Sequence, residues 1–255
     1  MTKQKDIDED LFVATLDGYE LVDYVINRFQ PKSVFGLFSG GNDSLTSTSI
    51  AAKHPEFTAA VHINTGIGVE ATRDFVRETC KEQGWPLLEY FAEDRGVSYR
   101  DMVLENGFPG PWFHSRMYHK LKDLGIAQLI REHKSRKPDE IVLISGVRSA
   151  ESQRRMASVK PMQRHYARLW VAPIHRYTRE DCINHIKNEG LRFNPVSINL
   201  GRSGECLCGA YARKGELAKI AEHYPDTANE ILALEKEVKE RGFPWGWEEA
   251  PPKGW

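Results

Sequence analysis

Short apolar runs alternate with amphipathic stretches through the first two thirds of the chain, the pattern of a parallel sheet covered by helices on both faces. The runs are Ser33-Val-Phe-Gly-Leu-Phe38, Thr58-Ala-Ala-Val-His-Ile63, Leu87-Leu-Glu-Tyr-Phe91, Ile141-Val-Leu-Ile144 and Leu169-Trp-Val-Ala172. Ile141–Ile144 contains no polar residue, as a central strand buried on both sides requires. Between the runs the spacing predicts helices over Ser44–Lys53, Val69–Gln83 and residues 114–134. The second stops at Gly84 with Pro86 beyond it, and the third carries Leu121, Leu124, Leu129 and Ile130 on one side.

The last third has a different texture. Thr178-Arg-Glu-Asp181 places an N-cap before two acids and opens a helix to about Asn188. Gly190–Gly209 reads as a loop, and Lys214–His223 and Asp226–Arg241 as two closing helices split by Pro225. The tail, Gly242-Phe-Pro-Trp-Gly-Trp-Glu-Glu-Ala-Pro-Pro-Lys-Gly-Trp255, is too rich in Gly and Pro for regular structure, and its three tryptophans are expected to pack on the body. The expected division is an N-terminal helical segment (1–30), an α/β domain (31–190) and a C-terminal part with cysteines, helices and tail (191–255).

Composition narrows the class. In 255 residues, 35 Lys+Arg face 36 Asp+Glu, so no global field marks a nucleic-acid binder. No apolar run is long enough to span a bilayer, and the polar N-terminus lacks a signal-peptide core, so no membrane association is expected. The four cysteines, Cys80, Cys182, Cys206 and Cys208, are too few for a secreted disulfide framework, and a reducing cytoplasm is the expected compartment.

Chemistry concentrates where the first strand ends. Ser39-Gly40-Gly41-Asn42-Asp43-Ser44 joins that strand to a helix, offering backbone N–H groups and a helix N-terminus to a phosphate. Gly40 and Gly41 let the backbone approach an anion, and Ser44 can donate to a phosphate oxygen. Asp43 would repel a bare phosphate, so it is expected to hold Mg2+ bridging a pyrophosphate. Ligands in an open parallel sheet sit beyond the carboxyl ends of the strands. Three further segments project there. Asn64-Thr65-Gly66 could meet an adenosine, with a plain strand-end turn as the alternative. Gly146-Val-Arg148-Ser-Ala-Glu151-Ser-Gln-Arg154-Arg155 sets three arginines past a buried strand, where their forks suit an anion. Arg148 is expected to act on the phosphates, and Glu151, Arg154 and Arg155 on the substrate. Lys160, Arg164, His165 and Arg168 extend the basic character, as surface or as a patch for an anionic substrate, a nucleic-acid backbone included. The third segment is Ser203-Gly-Glu-Cys206-Leu-Cys208-Gly209. Its cysteines read as a reactive thiol, a structural pair or ligands of an iron–sulfur cluster. A cluster would need Cys80 and Cys182 as well, both within predicted helices, and is the less favoured reading.

Together these segments resemble the phosphoadenosine phosphosulfate (PAPS) reductase family of the PP-loop ATP pyrophosphatases. Ser39–Ser44 is similar to the S-G-G-x-D-S loop, and Asn64-Thr65-Gly66 with Glu70 and Thr72 to a D-T-G-x-x-x-x-E-T stretch, with Asn in place of Asp. Gly146–Ser152 resembles G-x-R-x-x-E-S, and Pro173–Asp181 resembles P-I-x-x-W-T-x-x-D with Tyr177 in place of Trp. The resemblance implies an adenine-nucleotide α-hydrolase-like (HUP, Rossmann-like) fold: α/β, a five-stranded parallel sheet flanked by helices, with a C-terminal extension. It implies ATP as cofactor with Mg2+, Ser39–Ser44, Asn64–Gly66, Gly146 and Arg148 as nucleotide contacts, and Asp43, Arg148, Cys206 and Cys208 as catalytic. The implied activity is cleavage of ATP to AMP and pyrophosphate to activate an acceptor for sulfur transfer, DNA phosphorothioation among the outcomes. Its partners would be an adenine nucleotide, a sulfur donor (a cysteine desulfurase or thiol carrier), nucleic acid, and other subunits or copies of the chain. The reductases' E-C-G-x-H motif is replaced here by Glu205-Cys-Leu-Cys-Gly209. Sulfonucleotide reduction is therefore the second expectation, and a non-enzymatic nucleotide-sensing subunit docking through its tail the third.

Overall fold

The computed structural model describes residues 9–133, 140–151, 159–165, 168–249 and 251–252. The chain forms two compact units. Unit 1 comprises residues 1–62, 75–88 and 129–194, and unit 2 residues 63–74, 89–128 and 195–255.

Unit 1 is built on the sheet. Its elements are α1 (Gly18–Phe29), β1 (Ser33–Leu37), α2 (Asn42–Ala52), β2 (Phe57–Asn64), α3 (Glu70–Gln83), β3 (Leu87–Phe91), β4 (Ile141–Ile144), β5 (Met162–His165), β6 (Arg168–Val171) and α7 (Arg179–Asn188); β2, α3, β3 and the helix Leu124–His133 run across the unit boundary. Strand order is β3-β2-β1-β4-β6-β5, with β1 parallel to β2 and β4, and β4 parallel to β6. β1 is central because Val34 and Phe35 are fully buried and β4 beside it exposes nothing. α2 reaches the sheet closely: a Cβ on Gly36 would lie 2.8 Å from the Thr48 side chain. The same helix buries the small polar run Thr46, Ser47 and Thr48 along with Leu45 and Ile50, and at Thr48 the close approach leaves no room for a larger group.

The expected five strands become six. The added strand, β5, is antiparallel to β6 at the sheet edge. Its sequence, Met162-Gln-Arg-His165, has three polar residues in four and exposes all three, and cations on an edge discourage further pairing. The Arg164–Arg168 basic patch thus lies largely on this hairpin, where Arg164 stacks over Phe29 and Arg168 over Trp170. α7 opens as expected with a capping box between Thr178 and Asp181, whose carboxyl is held below its usual range by the Thr178 N–H and hydroxyl.

Unit 2 gathers α4 (Tyr99–Asn106), α5 (His114–Tyr118), α8 (Pro195–Leu200), α9 (Glu216–His223) and α10 (Pro225–Glu240). The expected single helix over 114–134 is interrupted by a π-helical turn, His119–Asp123, before α6 (Leu124–His133). α8 lies inside what reads as a loop, Pro195 occupying its first turn as proline tolerates. Two of the tail tryptophans belong to this unit's core: Trp245 Nε1 donates to the Phe108 carbonyl (2.9 Å) and Trp247 Nε1 to that of Leu207 (2.7 Å). Trp255 lies outside the described residues. No helix among the described residues is long and apolar enough to cross a membrane.

Candidate functional site

The candidate residues divide between the units. In unit 1, β1 ends at Leu37 and the chain turns through Gly40, whose φ of 77° favours glycine, into α2. Gly41 is the N-cap, and no side chain caps the helix. The first-turn N–H groups of a helix have no intrahelical partner, so an uncapped end of this kind offers them to an anion. Ser39 and Ser44 brace the turn: the Ser39 N–H donates to Ser44 Oγ (3.2 Å), and the Ser44 hydroxyl donates to the Gly41 carbonyl (2.9 Å). Asn194, which sequence reasoning missed, fixes the loop from outside by donating to the Gly40 carbonyl (2.9 Å). Its position before Pro195 signals a helix start and says nothing of the loop.

Arg148 leaves the end of β4 and meets this turn. Its Nη2 lies 2.9 Å from Asp43 Oδ2, and its side chain is only 9% exposed. Gly146 has a steric reason beside any ligand: a Cβ there would lie 2.6 Å from the Ser44 nitrogen. Two buried atoms at this end, Asn42 Oδ1 and Arg148 Nε, lack a hydrogen-bond partner among the described residues. Glu151 accepts from the Arg148 N–H (3.3 Å), while Arg154 and Arg155 lie outside the described residues. Beneath the pair, burial first and the Asp43 charge second push the Cys182 thiol up to about 12. Cys80, packed with Phe38 and Phe75, is likewise pushed up to about 12 by burial.

In unit 2, Asn64 Oδ1 accepts from the Gly66 N–H (3.0 Å) and its amide donates to Glu89 (3.2 Å). Thr65 donates from its N–H to Glu205 Oε1 (3.1 Å) and from its hydroxyl to the Glu205 carbonyl (2.9 Å). Of the three residues expected at an adenosine, Thr65 is engaged in holding the cysteine loop. Val69 and Leu207 complete the anchoring through backbone bonds to Gly204 and Ile67. A Cβ on Gly68 would strike the Glu205 carbonyl at 2.4 Å, which fixes glycine there.

The loop so held carries two unlike thiols. Cys206 is lowered to about 6, chiefly by the Cys208 S–H donating to it and further by the Lys122 ammonium, against the opposing effect of burial. Cys208 is correspondingly raised, by that hydrogen bond and by burial. Burial opposes the charge on Lys122, but Cys206 and Glu205 outweigh it and hold the ammonium above its ordinary range. Lys122 stands in the π-helical turn and reads in sequence as one more solvated lysine of a helix. Among the described residues no group of three or more His, Cys, Asp or Glu could hold a metal ion.

Comparison with known proteins bears on the fold and the family. An uncharacterized protein of Methanocaldococcus jannaschii is 25% identical over 226 residues, 85% of this chain. The chain spans about half (52%) of that relative's length. The fold is similar to that of the phosphoadenylyl-sulfate reductase of Candida auris, solved as a phosphate complex (TM-score 0.59, 17% identity, 78% of this chain and 92% of that one). It is also similar to the FMN adenylyltransferase of Candida glabrata, solved with FAD and inorganic pyrophosphate (TM-score 0.50, 11% identity, 75% and 60%). The phosphoadenosine phosphosulfate reductase domain model matches residues 33–198, from the start of β1 into α8 and so across the glycine turn and Arg148. The chain therefore belongs to the phosphoadenosine phosphosulfate reductase domain family.

Proposed function

We propose that the chain is a PP-loop ATP pyrophosphatase that adenylates an acceptor for sulfur transfer. The observation that carries the reading is the uncapped N-terminus of α2, set behind Gly40 and Gly41 and facing the Arg148–Asp43 pair. The first-turn N–H groups, which no side chain among the described residues caps, suit the leaving pyrophosphate, and Arg148 suits the charge that develops on the α-phosphate. An acceptor oxygen attacks the α-phosphorus, and the bond to the bridging oxygen breaks. Pyrophosphate leaves with the electron pair. Asn42 Oδ1 and Arg148 Nε, which have no hydrogen-bond partner among the described residues, suit a site completed by its ligand. Asp43 is the carboxylate of this turn and would hold Mg2+ together with the phosphates, a donor set in which magnesium commonly binds. The cation would neutralise the charge of the phosphates.

In unit 2, Cys206 would carry a persulfide received from a donor such as a cysteine desulfurase or thiol carrier. Its outer sulfur attacks the activated centre and displaces AMP. Cys208 then attacks Cys206 Sγ, the sulfur–sulfur bond breaks toward the product, and an external thiol reduces the resulting disulfide. DNA phosphorothioation is one such transfer, in which the acceptor is a backbone phosphate. The acid Cys206 thiol favours a second reading, sulfonucleotide reduction, in which it attacks the sulfate sulfur and releases the adenine nucleotide. Supplying ATP or PAPS in parallel separates the two. AMP and pyrophosphate from ATP support the proposal; thiol-dependent sulfite from PAPS, with ATP left intact, replaces it by the second reading.

A further inference from the structure

Unit 2 exposes large apolar side chains in two segments beside the cysteine loop, and all of them are aromatic: Trp112 is 65% exposed, Tyr118 43% and Tyr211 58%. His114 ties two of them together, its ring centroid 4.8 Å from that of Tyr211 and 5.9 Å from that of Tyr118. Trp112 stands edge-on to Phe113 at 5.5 Å, and the Arg116 guanidinium covers the same Phe113 ring at 5.4 Å. Exposing such rings costs the fold burial that aromatic residues normally supply. Cations interleave with them, Arg116 and Lys120 on the helix and Lys214 after Tyr211, all exposed. Carboxylates nearby are engaged elsewhere: Asp123 pairs with His119, Glu216 with Arg202, and Glu248 accepts from the Gly215 and Leu217 N–H groups.

Solvent-exposed rings spaced by exposed cations are the makings of a stacking platform for bases on a phosphate strand. A protein-docking patch would bury an apolar centre depleted of charge. The platform also connects with the reactive loop. Lys122, which steadies the Cys206 thiolate, acts electrostatically on both His114 and Tyr118. The helix carries this lysine in its π-helical turn, a distortion often found at functional sites.

We infer that the His114–Tyr118–Tyr211 cluster, with Trp112 and the cations between the rings, binds a single-stranded nucleic acid and presents it to Cys206. This deepens the proposed function by naming the class of acceptor, and it rests on that reading for the step that follows binding. Binding itself does not depend on ATP, so it is tested alone. The full-length protein is titrated into fluorescein-labelled single-stranded DNA and RNA of about 12 nucleotides, a length within the range such platforms cover, and anisotropy is read without nucleotide. The expected result is saturable binding, weakened about tenfold each by Tyr211→Ala and Trp112→Ala, the loss of one stacked base. Ile198→Ala, exposed elsewhere in unit 2, should leave binding unchanged. Preference for DNA or RNA identifies the source of the strand, and either supports the platform. Equal binding by the ring variants and wild type, with loss only on neutralising Arg116 and Lys120, overturns it in favour of charge alone. Absence of strand binding by a protein that cleaves ATP overturns it while sparing the proposed function. Strand binding by a protein that leaves ATP intact supports the platform and contradicts that function.

Discussion

Replacing Cys208 by alanine tests the thiol chemistry of unit 2 most sharply. With its pKa at about 6, against an ordinary 9.0, Cys206 is about ten parts thiolate to one of thiol at pH 7. The largest cause is the Cys208 S–H, so its removal leaves burial and Lys122 opposed and the midpoint climbs toward the ordinary value. At an ordinary value the thiolate fraction at pH 7 falls by about two decades. A more basic thiolate is also the better nucleophile, by about 0.4–0.5 of a decade per pKa unit, which returns about 1.4 decades. The net loss of rate at pH 7 is therefore only about fourfold, and the pH profile is the decisive readout. The assay follows reaction with a dipyridyl disulfide from pH 5 to pH 10. Cys80 and Cys182, both at about 12, stay silent over most of that range. Wild type should show a midpoint near 6 and release two pyridyl thiones, as Cys208 resolves the first adduct. Cys208→Ala should shift the midpoint upward and release one. A wild-type midpoint near 9, or an unmoved profile in Cys208→Ala, refutes the reasoning.

Three further outcomes follow from unit 1. Asp43→Ala should destabilise by about 2–3 kcal/mol because it strands the Arg148 charge, which is 9% exposed; Arg148→Met should cost less because Asp43, at 25% exposure, can draw on water. Equal losses in urea denaturation would contradict that asymmetry. Gly146→Ala drives a Cβ to 2.6 Å from the Ser44 nitrogen, so it should cost about 1–3 kcal/mol and raise the KM for ATP, read from melts and initial rates. His175 and His185 are held below the ordinary 6.5, chiefly by burial. Such a histidine takes its proton more readily once unfolded. The stability it confers is present above 6.5 and is lost as pH falls through the lower folded value. The Tm should drop between pH 7 and pH 5, and a His175→Asn, His185→Gln double variant should melt with a flatter profile.

The parts of the molecule legible in sequence are those where one residue type does one local job. An apolar run closed by Gly40 and Gly41 and followed by a helix can be little else than β1, its turn and α2. Arg148 was legible because a buried strand, β4, aims it at the same sheet edge. Roles set by distant partners were not legible. Thr65 points to nothing until the chain returns at Glu205, and Asn194 looks like a helix entry until it meets Gly40. β5 escaped because three of its four residues are polar and exposed, and α8 because six residues are too few to show a period. Lys122 escaped because its meaning lies in the thiolate beside it.

The measurement closest to the central claim follows the label of ATP radiolabelled at the α-phosphate, incubated with Mg2+ and with or without a single-stranded oligonucleotide. The account predicts label in AMP or on the strand, with pyrophosphate released in equal amount, and neither product from Asp43→Ala. Label recovered in ADP, or left in ATP under every condition, would contradict it.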